Sequence, residues 1–148
     1  MLKGVPPILS PELLKVLCEM GHSDRIVIGD GNFPAETIGK NAKIIRYDGQ
    51  DIPALLDAIL TVIPLDTYAE HPVLQMELVP NDIGKIETPI WDEYIKIISA
   101  HDERGAATIK HIERFAFYEE AKECYAVVAT GEHAVYANII LQKGVVEL

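Results

Sequence analysis

Ser10-Pro11-Glu12-Leu13-Leu14-Lys15-Val16-Leu17-Cys18-Glu19-Met20-Gly21-His22-Ser23-Asp24-Arg25-Ile26-Val27-Ile28-Gly29-Asp30 reads as a helix, a short turn and a buried strand. Serine is a good N-cap, and proline is tolerated at the first helical position because its missing N–H has no partner there anyway. Leu13, Leu14, Leu17 and Met20 recur at helical spacing, and Gly21 offers the permissive backbone on which helices often end. Ile26-Val27-Ile28 is a short apolar, β-branched run of the kind that fills a strand covered on both faces. In an open α/β sheet ligands collect beyond the carboxyl ends of the strands, which is where Asp30 falls. His22 and Asp30 are therefore the first candidates for chemistry.

The same alternation continues outward. Lys43–Tyr47 reads as a strand, and Asp51 as the cap of a helix through Leu55, Leu56, Ile59 and Leu60 that Pro64 closes. Val73 to Val79 is extended, residues 80–88 are a polar connection, and Thr88-Pro89 opens a helix with Ile90, Trp91, Tyr94, Ile95 and Ile98 on its apolar face. Ile109–Ile112 reads as a strand, Arg114 to Cys124 as a helix, and 125–129 and 139–141 as closing strands. Strands alternating with helices predict an α/β sandwich on a mostly parallel sheet, in one domain over residues 1–148.

Composition excludes several classes of partner. Apolar residues make up 49% of the chain and charged residues 24%, which describes a folded globular protein. A net charge of −10 argues against nucleic acid and anionic membrane, both of which call for basic surface. No apolar run is long enough to span a bilayer and no signal pattern opens the chain, so a cytoplasmic location is expected. The two cysteines, Cys18 and Cys124, form no CxxC pair and read as buried or half-buried free thiols.

Familiar cofactor motifs fail. Gly29-Asp30-Gly31 follows a strand, but Pro34 stands where a dinucleotide fingerprint needs its third glycine. The five histidines show no HExxH-like spacing, so neither metal nor cofactor is expected. If the chain is an enzyme, side-chain acid–base work is what remains. In Glu113-Arg114-Phe115-Ala116-Phe117-Tyr118, Arg114 and Tyr118 lie four residues apart on one helix face. Tyr136-Ala137-Asn138 precedes the last apolar strand. Arginine, tyrosine and asparagine give directional hydrogen bonds, and rings stack on apolar sugar faces.

Together these blocks resemble the family of L-fucose mutarotases and D-ribose pyranases, and more closely its fucose branch. The resemblance runs end to end: Ile8-Leu9-Ser10-Pro11-Glu12-Leu13-Leu14-Lys15-Val16-Leu17, Glu19-Met20-Gly21-His22, Asp30 with Phe33-Pro34-Ala35, Arg114-Phe115-Ala116-Phe117-Tyr118, Thr130-Gly131-Glu132, and Tyr136-Ala137-Asn138-Ile139-Ile140-Leu141-Gln142-Lys143-Gly144. Gly31-Asn32 departs from that branch, where a histidine before Phe-Pro is common, so no second histidine accompanies Asp30. The resemblance implies His22 as the acid–base group and Asp30, Arg114, Tyr118, Tyr136, Ala137 and Asn138 as sugar-binding residues. It also implies a three-layer α/β/α fold and homo-oligomeric rings, commonly decamers, working on a monosaccharide without a cofactor.

Anomer exchange of L-fucose is the expected activity, with ribose pyranose–furanose exchange and noncatalytic monosaccharide binding as the alternatives. The chemistry suits a histidine, whose ordinary pKa of about 6.5 lets it give and take protons near neutrality. Each residue also has a plainer use. A histidine past a helix end can simply satisfy carbonyls, Asp30 can hold a turn, Arg114 and Tyr118 can be a surface charge and a core ring, and Asn138 can open a strand. Trp91, His71 and His101 are assigned to packing or surface. The high apolar content and the apolar tail Val145-Val146-Glu147-Leu148 favour a surface covered by another copy.

Overall fold

Six strands form one sheet in the order β2-β5-β1-β6-β3-β4, and five helices cover its two faces. The computed structural model describes residues 1–148. The strands are β1 Arg25–Gly29, β2 Lys43–Tyr47, β3 Val73–Met76, β4 Ile109–Ile112, β5 Ala126–Thr130 and β6 Ile139–Gln142. The helices are α1 Pro11–Glu19, α2 Ala35–Ile38, α3 Ile52–Val62, α4 Pro89–His101 and α5 Arg114–Lys122. β1, β2 and β5 run parallel, as do β3 and β4, while β6 lies antiparallel between β1 and β3. The sheet is thus mixed but mostly parallel. A parallel pairing needs a crossover of about a dozen residues or more, which the short loop over residues 131–138 does not supply, so β6 returns antiparallel.

Strand alternation assigns the layers. Ile26, Ile28, Val128 and Ile139 pack with Leu13 and Leu17 of α1, Leu55, Leu56 and Ile59 of α3, and Tyr94 and Ile98 of α4. Val27, Val127 and Ile140 point the other way, against Ile38 of α2 and Phe117 and Ala121 of α5. Both faces of the central strands are dry, as the β-branched runs predict, and each fully buried Ile or Leu contributes about 1.5–3 kcal/mol.

Caps and ends differ from expectation in instructive ways. Ser10 does cap α1, its Oγ accepting from Leu13 N at 3.2 Å. Asp51 makes no side-chain cap bond, and instead Glu132 Oε2, from the loop after β5, accepts from Ile52 N at 3.1 Å. Gly21 is not the residue with positive φ after α1; Ser23 is, at 75°. The extended stretch after Pro72 ends at Met76, because Pro80 opens a 3₁₀ turn over Pro80–Asp82. α5 stops at Lys122, two residues short of Cys124. Cys124 is buried as expected, whereas Cys18 is exposed. Two glycines allow backbone approach that no side chain would. A Cβ at Gly131 would lie 1.9 Å from the Asp48 carbonyl oxygen, and one at Gly144 would lie 2.6 Å from that of Leu65.

Candidate active site

A cavity of about 240 Å³ opens beyond the carboxyl ends of β1 and β3, small beside the roughly 300–1,000 Å³ of typical ligand sites. Asp30, Asn138, Tyr136, Arg114, Tyr118 and Asp82 supply its polar wall, and Phe33, Met76, Val79 and Val135 its apolar one. Asp30 sits one residue past β1, at the carboxyl end of a central strand, where ligands collect in an open α/β sheet. Its backbone N–H donates to Asn138 Oδ1 at 2.8 Å, tying the end of β1 to the start of β6. That bond occupies the Asn138 oxygen and leaves its amide nitrogen to donate to a ligand. Asp30 Oδ1 accepts from Asn32 N at 2.9 Å, so the aspartate also holds its own turn. Burial raises the Asp30 pKa above the ordinary carboxylate value, against the pull of hydrogen bonds from the Asn32, Ala137 and Phe33 N–H groups.

α5 aims its first turn at the same cavity. Glu113 caps it, Oε2 accepting from Phe115 N at 2.9 Å and Ala116 N at 3.0 Å. That cap fixes Arg114 as the first helical residue, and its guanidinium lies 5.8 Å from the centre of the Tyr118 ring. Cation and ring then act as one surface, as their four-residue spacing predicts.

The segment 136–138 is held from behind by α4. Tyr136 has φ of 57°, a left-handed conformation that costs a tyrosine about 1–3 kcal/mol and persists only where neighbours over-determine it. Here Trp91 Nε1 donates to the Tyr136 carbonyl at 2.8 Å, and Tyr94 Oη donates to the Ala137 carbonyl at 2.7 Å. Tyr136 Oη donates to Asp82 Oδ2 at 2.5 Å and accepts from Val79 N at 3.3 Å. Trp91 is therefore more than packing.

His22 lies elsewhere. It precedes β1, whereas Asp30 follows it, and a five-residue strand at about 3.3 Å per residue is roughly 16 Å long. The cavity contains no atom of His22, and the chain does not bring the two candidates together. At its own end of the sheet the ring is fixed instead by Asp66, whose Oδ1 is 3.0 Å from His22 Nε2. Asp66 also accepts from Tyr68 N at 2.9 Å and from Gln142 Nε2 at 2.8 Å. Burial works against ionisation of Asp66, but the Tyr68, Gln142 and His22 hydrogen bonds prevail and hold its pKa below the ordinary value. An ionised carboxylate only accepts, so Nε2 carries the proton and Nδ1 is left as the proton acceptor. The His22 side chain is 42% exposed while that of Asp66 is 2% exposed.

The structure thus gathers Asp30, Arg114, Tyr118, Tyr136 and Asn138 into one cavity and leaves His22 outside it. Ala137 is the exception among the expected binding residues. It is fully buried, its carbonyl is taken by Tyr94 and its methyl packs in the core, so it shapes the segment without lining the cavity. Asp66, Asp82 and the α4 pair Trp91 and Tyr94 were not anticipated. Asp66, in a loop, and Asp82, at the end of a 3₁₀ turn, are single acidic residues with no motif around them, while Trp91 and Tyr94 fit the helical core pattern that hides their polar ends. No group of three or more His, Cys, Asp or Glu side chains is arranged to hold a metal ion. No helix is long and apolar enough to cross a membrane.

Comparison with known proteins agrees with this architecture throughout its length. The fucose mutarotase of Homo sapiens is 53% identical, the match covering 99% of this chain and 96% of the human protein. FucU from Bifidobacterium longum superposes with a TM-score of 0.95 at 62% identity, covering 98% of this chain and all of the other (100%). The fucose mutarotase of Streptococcus pneumoniae, solved in complex with L-fucose, gives a TM-score of 0.89 at 46% identity, covering 99% of this chain and 100% of that one. The model of the RbsD / FucU transport protein family matches residues 3–146, and the chain belongs to that family.

Proposed function

We propose that this protein is a cofactor-independent isomerase that interconverts the α and β anomers of L-fucose. The observation that carries the reading is the cavity itself, where Asp30, Arg114, Tyr118, Tyr136 and Asn138 converge at the carboxyl ends of the strands. Two carboxylates, a guanidinium, an amide and phenols suit a neutral polyol, and the apolar wall suits a sugar face that carries a methyl group. Relatives of about half identity are named fucose mutarotase, which supports the same substrate.

The reaction needs only proton movement. A base removes the proton from the anomeric hydroxyl, an acid protonates the ring oxygen, and the bond between the anomeric carbon and that oxygen breaks to leave an aldehyde and a free hydroxyl. Rotation about the adjoining carbon–carbon bond and reclosure from the other face, with the protons returned, give the other anomer. Asp30, Arg114 and Asn138 hold the hydroxyls, and His22 moves the protons through Nδ1 while Asp66 holds the ring. Positioned acid–base help is worth about 10²–10⁴-fold, ample for a reaction that already proceeds in water.

His22 reaches a cavity only from another copy of the chain. Its exposed ring lies 5.2 Å from the centre of Tyr68, itself 81% exposed, while Phe115, Ile83 and Val135 are exposed near the cavity end. Two different faces at opposite ends of one sheet make a head-to-tail contact, which closes into rings when the rotation permits. We assign the protein to such a homo-oligomer, a decamer by the family resemblance, working in the cytoplasm. Saturation-transfer NMR on L-fucose, D-ribose and D-galactose in EDTA tests the activity. L-fucose anomers should exchange faster than in buffer, and His22→Ala should lose about 10²–10⁴-fold of that rate while still binding the sugar. Binding without exchange in the wild type makes this a binding protein, and exchange of ribose alone makes it a pyranase.

A further inference from the structure

Asp82 closes the 3₁₀ turn that follows β3 and lines the cavity together with Asp30 and Asn138. Its carboxylate has hydrogen-bond acceptors only, so the proton between it and Tyr136 Oη, 2.5 Å away, comes from the phenol. Val79 N–H occupies one acceptor position of the same oxygen. A free tyrosine hydroxyl can donate or accept, but this one has spent its donor. One acceptor position on Oη is left for a ligand.

We propose that Asp82 is a specificity-determining residue of the cavity, which fixes the Tyr136 phenol so that a sugar hydroxyl must donate to it. This rests on the cavity being the sugar site. Together with Asp30, the pair makes acceptors of two parts of the wall, and Arg114 and the Asn138 amide are the donors. Each sugar hydroxyl that spans the cavity then donates toward a carboxylate or the phenol and accepts from Arg114 or Asn138. A wall that demands a donor rejects a ligand atom that can only accept, because the buried polar group facing it is left unpaired. Asp82 acts through Tyr136 and takes no proton from the sugar.

The test is a double-mutant cycle with L-fucose and its monofluorinated analogues, in which fluorine accepts but does not donate. Asp82→Asn should raise the KM for L-fucose about 10-fold with kcat changed far less, the size expected for one charge-assisted hydrogen bond. In a Tyr136→Phe background the same change should have no further effect. One fluorinated analogue, rejected by wild type, should be tolerated by Asp82→Ala, which leaves the phenol no side-chain acceptor at this position, so that its proton is free to turn inward. Independently of any sugar, ¹³C NMR titration of the tyrosine ring carbons reads the phenol directly. Burial and the Asp82 bond raise the Tyr136 pKa, against the pull of the Val79 N–H and of Arg114 of α5. Tyr136 should therefore titrate lower in Asp82→Asn, and in Asp82→Ala if the first variant folds poorly. Identical titration in wild type and both variants overturns the proposal whether or not fucose binds. So does an Asp82→Asn effect that persists in the Tyr136→Phe background. A wild type with the phenol held as described but no sugar exchange removes the fucose reading instead.

Discussion

The two ends of β1 hold their polar residues in opposite ways. At the carboxyl end Asp30 and Asn138 are each 6% exposed and bonded to one another, and both line an open cavity. At the amino end the carboxylate of Asp66 is buried but the group it orients, His22, stands out with Tyr68 beside it. β6 links the two, since Asn138 precedes it and Gln142, which grips Asp66, ends it. Each end also carries one non-glycine residue with positive φ, Tyr136 at 57° and Ser23 at 75°. On the function proposed above, one end holds the sugar and the other presents the proton-transfer group outward, so that a complete site draws on two copies of the chain.

The strongest attempt to break that comparison is subunit mixing. His22→Ala and Asn138→Ala should each be nearly inactive in anomer exchange. When the two are unfolded and reassembled together at equal ratio, about a quarter of the sites regain both wild-type halves if each site draws its halves from two chains. Recovery of roughly that share of wild-type exchange rate supports the shared site. A mixture no more active than its parents means that His22 works within its own chain, or not at all.

Much of this was legible in the sequence, for physical reasons that differ by element. β1 and β2 were readable because β-branched runs bounded by turn residues leave few alternatives. Asp30 stood out because it falls at the carboxyl end of a strand, and Arg114, Tyr118, Tyr136 and Asn138 as hydrogen-bonding residues in two short blocks whose binding roles only the family resemblance implied; the structure places all five on one cavity. α2 went unread because four residues carry no helical period. The separation of His22 from Asp30 was hidden for another reason: closeness in sequence suggests a joint site, but an intervening strand carries its two neighbours to opposite ends of the sheet. Asp66 and Asp82 could not be read at all. Each gains its role from a partner distant in sequence, His22 and Gln142 for one and Tyr136 for the other.

A finer separation of the two ends comes from Asp66→Ala. It removes the acceptor that holds His22 Nε2–H, so the ring loses both its tautomer and its orientation. Exchange should fall by about 10²-fold or more, within the 10²–10⁴-fold that acid–base catalysis supplies. Affinity for L-fucose, measured in an inactive background by titration, should change little, because Asp66 lies outside the cavity. Loss of affinity with turnover intact would make Asp66 part of the binding end and dissolve the contrast.

The smallest effect is expected from Asp30→Asn, and it concerns stability. Asp30 is an acid whose folded pKa is raised above its ordinary value of 3.8, burial being the main cause. The folded chain therefore holds that proton more tightly than the unfolded one, and ionisation costs the fold stability. The cost is absent below the unfolded value, grows as pH rises through the window up to the folded pKa, and is complete above it. Asparagine keeps an oxygen for the Asn32 N–H at this position and carries no charge to desolvate. Thermal unfolding at pH 7 should thus give a midpoint equal to wild type or above it by up to a few degrees, on the order of 2–4 °C per kcal/mol regained. The difference should shrink as the pH is lowered toward 4, while sugar binding is lost at every pH. At the other end Asp66→Asn should do the reverse: its lowered pKa means that the charged carboxylate stabilises the fold at neutral pH, so the midpoint there should drop. Equal shifts in one direction for both variants would show that the two carboxylates are held alike, and that the contrast between a binding end strained for its ligand and a proton-transfer end braced by its partners is wrong.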